Sequence, residues 1–270
     1  MSLVNTNWLE ENLDKVKIID CSWHMPQTKR NGFEEYQDQH IENAIFFDLD
    51  KNSKTDIDLP HMLTDFKSWE NIVSDMGIRN KDQIIIYDNS DVISSCRCWY
   101  NFIYFGHDPS LVHVLDGGLK KWIIEKKPTV KNLTKSIRSN YISNEKRELV
   151  KNKKQIDENI IIKEFKVMDA RSRERFEGKV PEPSKGLRSG SIKNSFCLTF
   201  SDLINEDHTF INKKKILEKF KLTKCELNKN IVFTCGSGVT ASVLALAYSL
   251  IDTKYMPTIY DGSWSEYGKN

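Results

Sequence analysis

Ile231-Val232-Phe233-Thr234-Cys235-Gly236-Ser237-Gly238-Val239-Thr240-Ala241-Ser242 reads as a strand, a glycine-containing turn and the start of a helix that continues to Ile251. A short apolar run without alternation is the pattern of a strand buried on both faces. A strand that feeds directly into a helix is the repeating unit of a parallel α/β sheet, and such sheets form their sites where strand ends and helix begins.

The same signals occur in the same order elsewhere in the chain. The second half has a strand at Phe165 to Asp169, Ser191-Ile192-Lys193-Asn194-Ser195 leading to the next, a helix near Lys213 to Phe220, the quoted segment, and Thr258-Ile259-Tyr260-Asp261-Gly262. The first half has a strand at Val16 to Asp20, then His40-Ile41-Glu42-Asn43-Ala44 leading into Ile45 to Asp48. It continues with a helix at Asp65 to Met76, a strand at Gln83 to Asp88, a helix at Ser95 to Phe105 and Val112 to Gly118. Asp20 answers to Asp169, Ile41 to Ile192, Asp88 to Cys235 and Gly117 to Gly262, at nearly constant offset. The expectation is a duplicated α/β domain, each copy a parallel sheet flanked by helices: residues 1–127, a linker at 128–142, and residues 143–270.

Length and composition agree with two ordinary domains. The 270 residues carry 40 Lys+Arg against 38 Asp+Glu, a balance unlike that of a dedicated nucleic-acid or membrane-surface binder. Between Lys120 and Lys166 stand fourteen Lys/Arg and six Asp/Glu. Few aromatics are interleaved there, so this reads as a solvated linker and an exposed helix face near Glu145 to Asp157 rather than a nucleic-acid groove. The longest apolar stretch, around Val243 to Ile251, falls short of the roughly 20 residues that span a bilayer. Met1 to Glu10 has no basic segment followed by an apolar run, so the expected location is the cytoplasm. The six cysteines include Cys96 and Cys98 as a lone CxC pair with no second ligand pair, so neither a metal nor a disulfide framework is expected.

Cys235 is the residue with chemistry in reach. The flanking Gly236 and Gly238 let the backbone curl so that several N–H groups point at one spot, an arrangement that favours an anion, with the hydroxyls of Ser237 and Thr240 beside it. A free thiol near pKa 8.5 is only a few per cent thiolate at pH 7, and a shift of two units requires roughly 2.7 kcal/mol. A helix N-terminus supplies about 0.3–1 kcal/mol of that, so direct N–H and hydroxyl contacts must supply the rest. The alternative is a buried structural cysteine beside an ordinary helix start.

The segment Cys235-Gly236-Ser237-Gly238-Val239-Thr240-Ala241 resembles the active-site loop of the 3-mercaptopyruvate sulfurtransferases of the two-domain rhodanese family. Tyr260-Asp261-Gly262-Ser263-Trp264 resembles the family's closing signature, Leu115-Asp116-Gly117-Gly118 its first-domain counterpart, and Pro181-Glu182-Pro183 its inter-strand loop. The resemblance spans nearly the whole chain. It implies tandem rhodanese-like domains of which only the second is catalytic, since Asp88 stands where the nucleophile would be. Related thiosulfate sulfurtransferases carry basic residues after the cysteine, where this chain has Gly236 and Ser237.

The resemblance also implies roles. Arg175, before Phe176, corresponds to an arginine that grips the substrate carboxylate, for which a planar guanidinium fork is suited. A second family arginine after Pro-Glu-Pro is replaced by Ser184, with Lys185 or, preferably, Arg188 as compensator. Ser191 stands where the family often has histidine. Asp50, His61 and Ser237 correspond to a proposed Asp–His–Ser proton relay, whose alternative is a loop histidine with solvent protonation. Arg97 corresponds to a family arginine expected to line the cleft. The other histidines show no ligand spacing.

The implied function is transfer of sulfur from 3-mercaptopyruvate through a Cys235 persulfide to a thiol such as thioredoxin, or to cyanide, with release of pyruvate, no cofactor and a monomer sufficing. The nearest alternative is thiosulfate:cyanide sulfurtransferase, and a non-enzymatic persulfide carrier is a further one. A cysteine phosphatase requires an arginine six positions after the nucleophile, where this chain has Ala241.

Overall fold

The computed structural model describes residues 2–227 and 230–269, so the outermost ends of the two expected domains, Met1 and Asn270, lie outside the described residues. The chain divides into two compact units. Unit 1 comprises Met1–Lys54, Leu63–Lys146 and Asn205–Phe210, and unit 2 comprises Thr55–Met62, Arg147–Ile204 and Ile211–Asn270. Each unit therefore takes a short segment from the opposite half of the sequence.

In unit 1 the strands are β1 (Leu3–Val4), β2 (Lys17–Asp20), β3 (Ala44–Phe46), β4 (Ile84–Tyr87) and β5 (Val112–Leu115). Its helices are α1 (Thr6–Glu10), α2 (Gly32–Asp38), α3 (Phe66–Asp75), α4 (Ser95–Tyr104) and α5 (Gly118–Ile124). In unit 2 the strands are β6 (Val150–Lys151), β7 (Lys166–Asp169), β8 (Phe196–Cys197), β9 (Ile231–Thr234) and β10 (Ile259–Tyr260). Its helices are α6 (Lys153–Ile162), α7 (Arg173–Phe176), α8 (Lys213–Leu222), α9 (Val239–Ile251) and α10 (Ser263–Tyr267). The sheets are five-stranded and parallel, in the orders β1-β5-β4-β2-β3 and β6-β10-β9-β7-β8. The two orders are the same topology, as the internal repeat leads one to expect.

The central strands are buried on both faces, which is why they read as continuous apolar runs. On one face of the unit 1 sheet, Ile18, Ile85, Tyr87 and Leu115 meet Leu9 of α1, Tyr36 of α2 and Trp122 of α5. A stack of aromatics lies among α3 and α4, with Trp69 4.7 Å from Phe105 and 5.0 Å from Phe102. Unit 2 repeats the scheme. Val167, Val232 and Tyr260 meet Ile156 of α6 and Trp264 of α10, while Phe220 and Tyr248 enclose Phe233.

The lysine-rich stretch departs from expectation in two ways. Residues expected as a free linker are fastened to unit 1: Ser139 N donates to Ser74 O (2.8 Å), Tyr141 N to Ser74 Oγ (3.0 Å) and Lys146 N to Tyr104 O (2.7 Å). The helix expected near Glu145 to Asp157 starts only at Lys153, where Asn152 and Gln155 form a reciprocal capping box. Among the described residues no helix is long and apolar enough to cross a membrane.

Candidate active site

Cys235 follows the last residue of β9 and is 2% exposed. Its main chain is held by the start of α10. Cys235 N donates to Ser263 Oγ (3.2 Å), Trp264 N to Cys235 O (2.9 Å), and both Ser265 N (2.8 Å) and Ser265 Oγ (2.7 Å) to Gly236 O. Ser263 sits in the left-handed region at φ 48°, a conformation that costs a non-glycine residue of order 1–3 kcal/mol and that clusters at functional sites. Its wholly buried hydroxyl also donates to Tyr260 O (2.8 Å).

Gly238 is the N-cap of α9 at φ 80°, a position glycine fills without the steric cost that a Cβ brings. No side chain caps this helix. The first N–H groups of α9, which have no intrahelical acceptor, thus open onto the loop that carries Cys235, at the positive end of the helix dipole. Among the described residues the N–H groups of Gly236, Ser237 and Gly238 have no backbone acceptor.

Unit 1 contains the same construction with the anion built in. β2 and β4 pair Asp20 with Tyr87, and β7 and β9 pair Asp169 with Thr234, so Asp88 and Cys235 occupy equivalent positions one residue on. Leu119 N donates to Asp88 O as Trp264 N does to Cys235 O. The Asp88 carboxylate accepts from Ser90 N (2.8 Å) and Ser95 N (2.9 Å) and fills the cradle itself. Burial raises its pKa, against the pull of the Ser95 and Ser90 hydrogen bonds.

The 55–62 segment brings His61 into unit 2, where Lys269 Nζ pairs with Asp58 Oδ2 (2.9 Å). His61 is buried, adopts φ 59°, and its Nδ1 lies 2.8 Å from Ser237 Oγ. Two of the three residues of the expected relay thus stand in hydrogen-bond contact. Asp50 belongs to unit 1, where its two carboxylate oxygens accept from Trp23 Nε1 at 3.0 and 3.1 Å.

Arg175, on α7, lies beside the nucleophile's loop: its NH2 is 3.4 Å from the place a Cβ on Gly236 would occupy. Its guanidinium is gripped by Glu182, with NH2 to Oε2 2.5 Å and Nε to Oε2 3.2 Å. Glu182 is also held by Arg171, NH1 to Oε1 2.7 Å, and Arg171 pairs in turn with Asp169 through NH2 (2.7 Å) and Nε (3.0 Å). Burial opposes the Arg171 charge, but Asp169 and Glu182 more than offset it and raise its pKa.

Arg188 is exposed and lies against the aromatic rings of α10. Its guanidinium carbon is 4.6 Å from the Trp264 ring and 5.4 Å from the Tyr267 ring, with NH2 donating to Tyr267 O (3.4 Å). Ser184 and Lys185 are exposed, and Ser191 is half-buried. Arg97 is wholly buried on α4, its guanidinium carbon 5.7 Å from the Tyr100 ring.

The sequence reading missed Arg171, Asp169 and Glu182 as a connected group. A signal was present: an aspartate ending a buried strand and a glutamate between two prolines both require partners, and Arg171 stands two residues after the first. The remaining cysteines are buried, and burial pushes Cys197 and Cys225 up to about 11 and raises Cys21 and Cys96 as well.

The rhodanese-like domain model matches residues 5–125 and again 150–270. The chain belongs to the rhodanese family. A mitochondrial thiosulfate/3-mercaptopyruvate sulfurtransferase of Arabidopsis thaliana is 35% identical over 98% of this chain and 75% of its own. The mouse 3-mercaptopyruvate sulfurtransferase is 32% identical over 98% of this chain and 91% of its own. Among solved structures, the Escherichia coli 3-mercaptopyruvate sulfurtransferase SseA superposes with a TM-score of 0.88 at 28% identity, covering 98% of this chain and 99% of that one. The match of one domain model to both halves accounts for the duplicated sheet and for the equivalence of Asp88 and Cys235.

Proposed function

We propose that this rhodanese is a sulfurtransferase that takes sulfur from 3-mercaptopyruvate onto Cys235 and passes it to a thiol, such as thioredoxin, or to cyanide. The observation that carries the reading is a cysteine at the uncapped start of α9 with Arg175 beside its loop. The relatives' names point to the same chemistry.

The Cys235 thiolate attacks the donor's sulfur, a sulfur–sulfur bond forms, and the carbon–sulfur bond breaks with its electron pair going to carbon. The leaving group is the enolate of pyruvate, which takes up a proton. Ser237 with His61 behind it at 2.8 Å is the group that delivers this proton, a task an imidazole–hydroxyl pair in hydrogen-bond contact can perform. The persulfide left on Cys235 then loses its outer sulfur to the acceptor thiolate and Cys235 is restored as thiolate. Arg175 holds the donor carboxylate. Arg188, stacked on Trp264, acts as part of the scaffold rather than as a second carboxylate clamp. Every residue invoked belongs to one chain, so a monomer suffices.

Incubation with 3-mercaptopyruvate and no acceptor should leave the Cys235 peptide about 32 Da heavier, one sulfur atom, with pyruvate released. Cys235→Ser should abolish both. Pyruvate release by the Cys235→Ser protein would rule the mechanism out. Thiosulfate, in the name of the Arabidopsis relative, is the rival donor. A higher kcat/KM for thiosulfate than for 3-mercaptopyruvate would replace one donor by the other.

A further inference from the structure

A guanidinium carries five N–H donors in a rigid plane, and which of its edges faces a ligand decides what it recognises. In Arg175 the edge formed by Nε and NH2 is taken by Glu182, at 3.2 and 2.5 Å from Oε2. The remaining donors, on NH1 and the outer side of NH2, are left for another group, and NH2 is the atom next to Gly236. Glu182 is itself immobilised: its side chain is 1% exposed and its Oε1 accepts from Arg171 NH1 at 2.7 Å. Arg171 in turn is wholly buried, bonded to Asp169 and to Gly190 O (2.8 Å), with its guanidinium carbon 4.2 Å from the Trp264 ring. A rigid chain of alternating charge, Asp169, Arg171, Glu182, Arg175, thus leads from the end of β7 to the loop of Cys235.

We infer that Glu182 is the positioning residue that sets which edge of Arg175 meets the anionic group of the sulfur donor. The inference rests on the reading of Cys235 as nucleophile and deepens it. The two arginines and two carboxylates sum to zero formal charge, so the site selects its donor by aimed N–H groups on a carboxylate rather than by an excess of positive charge. With serine at position 184, the aim of Arg175 carries that selection.

A charge role and a positioning role predict opposite signs. If Glu182 only diluted the charge of Arg175, Glu182→Gln would make the surroundings of Cys235 more attractive to an anion. If Glu182 aims Arg175, the same change makes them less so. The test is the rate at which Cys235 is alkylated by iodoacetate, which carries a carboxylate, relative to neutral iodoacetamide, followed by mass spectrometry of the Cys235 peptide. The iodoacetamide rate is the control for an intact loop.

The iodoacetate-to-iodoacetamide ratio should fall about tenfold in Glu182→Gln, the size expected for loss of an oriented charge-assisted contact. Glu182→Asp keeps the charge and shortens the reach, so its ratio should lie between the two. In an Arg175→Gln background, adding Glu182→Gln should leave the ratio unchanged, because Glu182 acts through Arg175. In turnover, Glu182→Gln should raise KM for 3-mercaptopyruvate with kcat within about twofold. A ratio that stays level or rises in Glu182→Gln, a wild-type ratio in Glu182→Asp, or an undiminished fall in the Arg175→Gln background overturns the inference. A protein that fails to turn over 3-mercaptopyruvate while its alkylation ratios follow this pattern would sink the proposed donor and leave the role of Glu182 standing.

Discussion

Asp20→Asn should make the protein much more stable at pH 8, less so at pH 5, and leave it nearly alone only below about pH 4. Asp20 ends β2 in the position that Asp169 takes on β7, but the residue two further on is Ser22 in one case and Arg171 in the other. Asp169 therefore has a guanidinium, whereas the donors at Asp20 are neutral, Ser22 N at 2.9 Å among them. Burial pushes Asp20 up from 3.8 to about 7; the hydrogen bonds of Ser22 and Tyr87 pull it down and the charge of Asp88 pushes it up further. The folded protein thus keeps a proton that the unfolded chain releases near pH 3.8. Where the native state binds more protons, stability falls as pH rises, so the contribution is intact below about pH 4 and is lost through about pH 7. Between pH 5 and pH 8 the native carboxyl loses its proton across about two pH units, or roughly 2–3 kcal/mol at 1.36 kcal/mol per unit. Asparagine keeps an oxygen for the Ser22 N–H and has no charge to bury. Urea denaturation of both proteins at pH 5 and pH 8 gives the answer: the advantage of the variant should grow by roughly 2–3 kcal/mol between them, a Tm gain on the order of 10 °C. An equal difference at both pH values, or a larger deficit at pH 8, would refute the reasoning. Asp169→Asn is the internal control and should destabilise at both values, by up to about 3 kcal/mol, since it takes one of two carboxylate partners from the buried Arg171 and leaves Glu182.

The two glycines of the nucleophile's loop should respond differently. Gly238→Ala forces a Cβ into φ 80° and should cost about 1–2 kcal/mol, with turnover lost as the start of α9 shifts. Gly236→Ala places its Cβ 3.4 Å from Arg175 NH2, an ordinary van der Waals contact, and should leave the stability within about 0.5 kcal/mol of the parent. His61→Gln removes the group behind Ser237 and should lower kcat for pyruvate release about 10²–10⁴-fold without preventing alkylation of Cys235 by iodoacetamide. An unchanged kcat would assign enolate protonation to solvent.

Much of the architecture was legible because it rests on local pattern. Ile84 to Tyr87 and Ile231 to Thr234 are buried on both faces, and a short β-branched apolar run between turn signals is how a central parallel strand reads. The helix start at Asp65 follows capping chemistry, whereas the capping box at Asn152 went unread and that helix was expected too early. The edge strands β1 and β6 have two residues each, too few for any period, and they escaped notice. So did the exchange of segments 55–62 and 205–210 between units, because which body a loop joins is decided by long-range contacts such as Lys269 with Asp58 and Lys121 with Asp207 (2.8 Å). At the candidate site, the motifs that marked Cys235, Ser237, His61, Asp50 and Arg175 lie in separate stretches of sequence. Arg188 was marked only as the compensator for the arginine that Ser184 replaces, and its contacts with Trp264 and with Gly268 O (2.9 Å) carry no sequence signal.

The comparison of the halves also says what separates a reactive site from a silent one. Both sheets end a central strand against a helix start, and both fix the next residue by a backbone bond from α5 or α10. In unit 1 seven positions separate Asp88 from Ser95, and the carboxylate bridges that longer turn by accepting from Ser90 and Ser95. In unit 2 four positions separate Cys235 from Val239, and the left-handed Gly238 makes the turn without any side-chain acceptor. The donors of unit 1 are therefore consumed within the fold, whereas those at the head of α9 remain for an anion that comes and goes. Asp88→Cys alone should not create a second sulfur-carrying site, because the exchange of one side chain leaves the longer turn, with its αR cap at Ser94, in place. A persulfide on the introduced thiol of that variant after exposure to 3-mercaptopyruvate would show that the residue, and not the turn, is what silences unit 1.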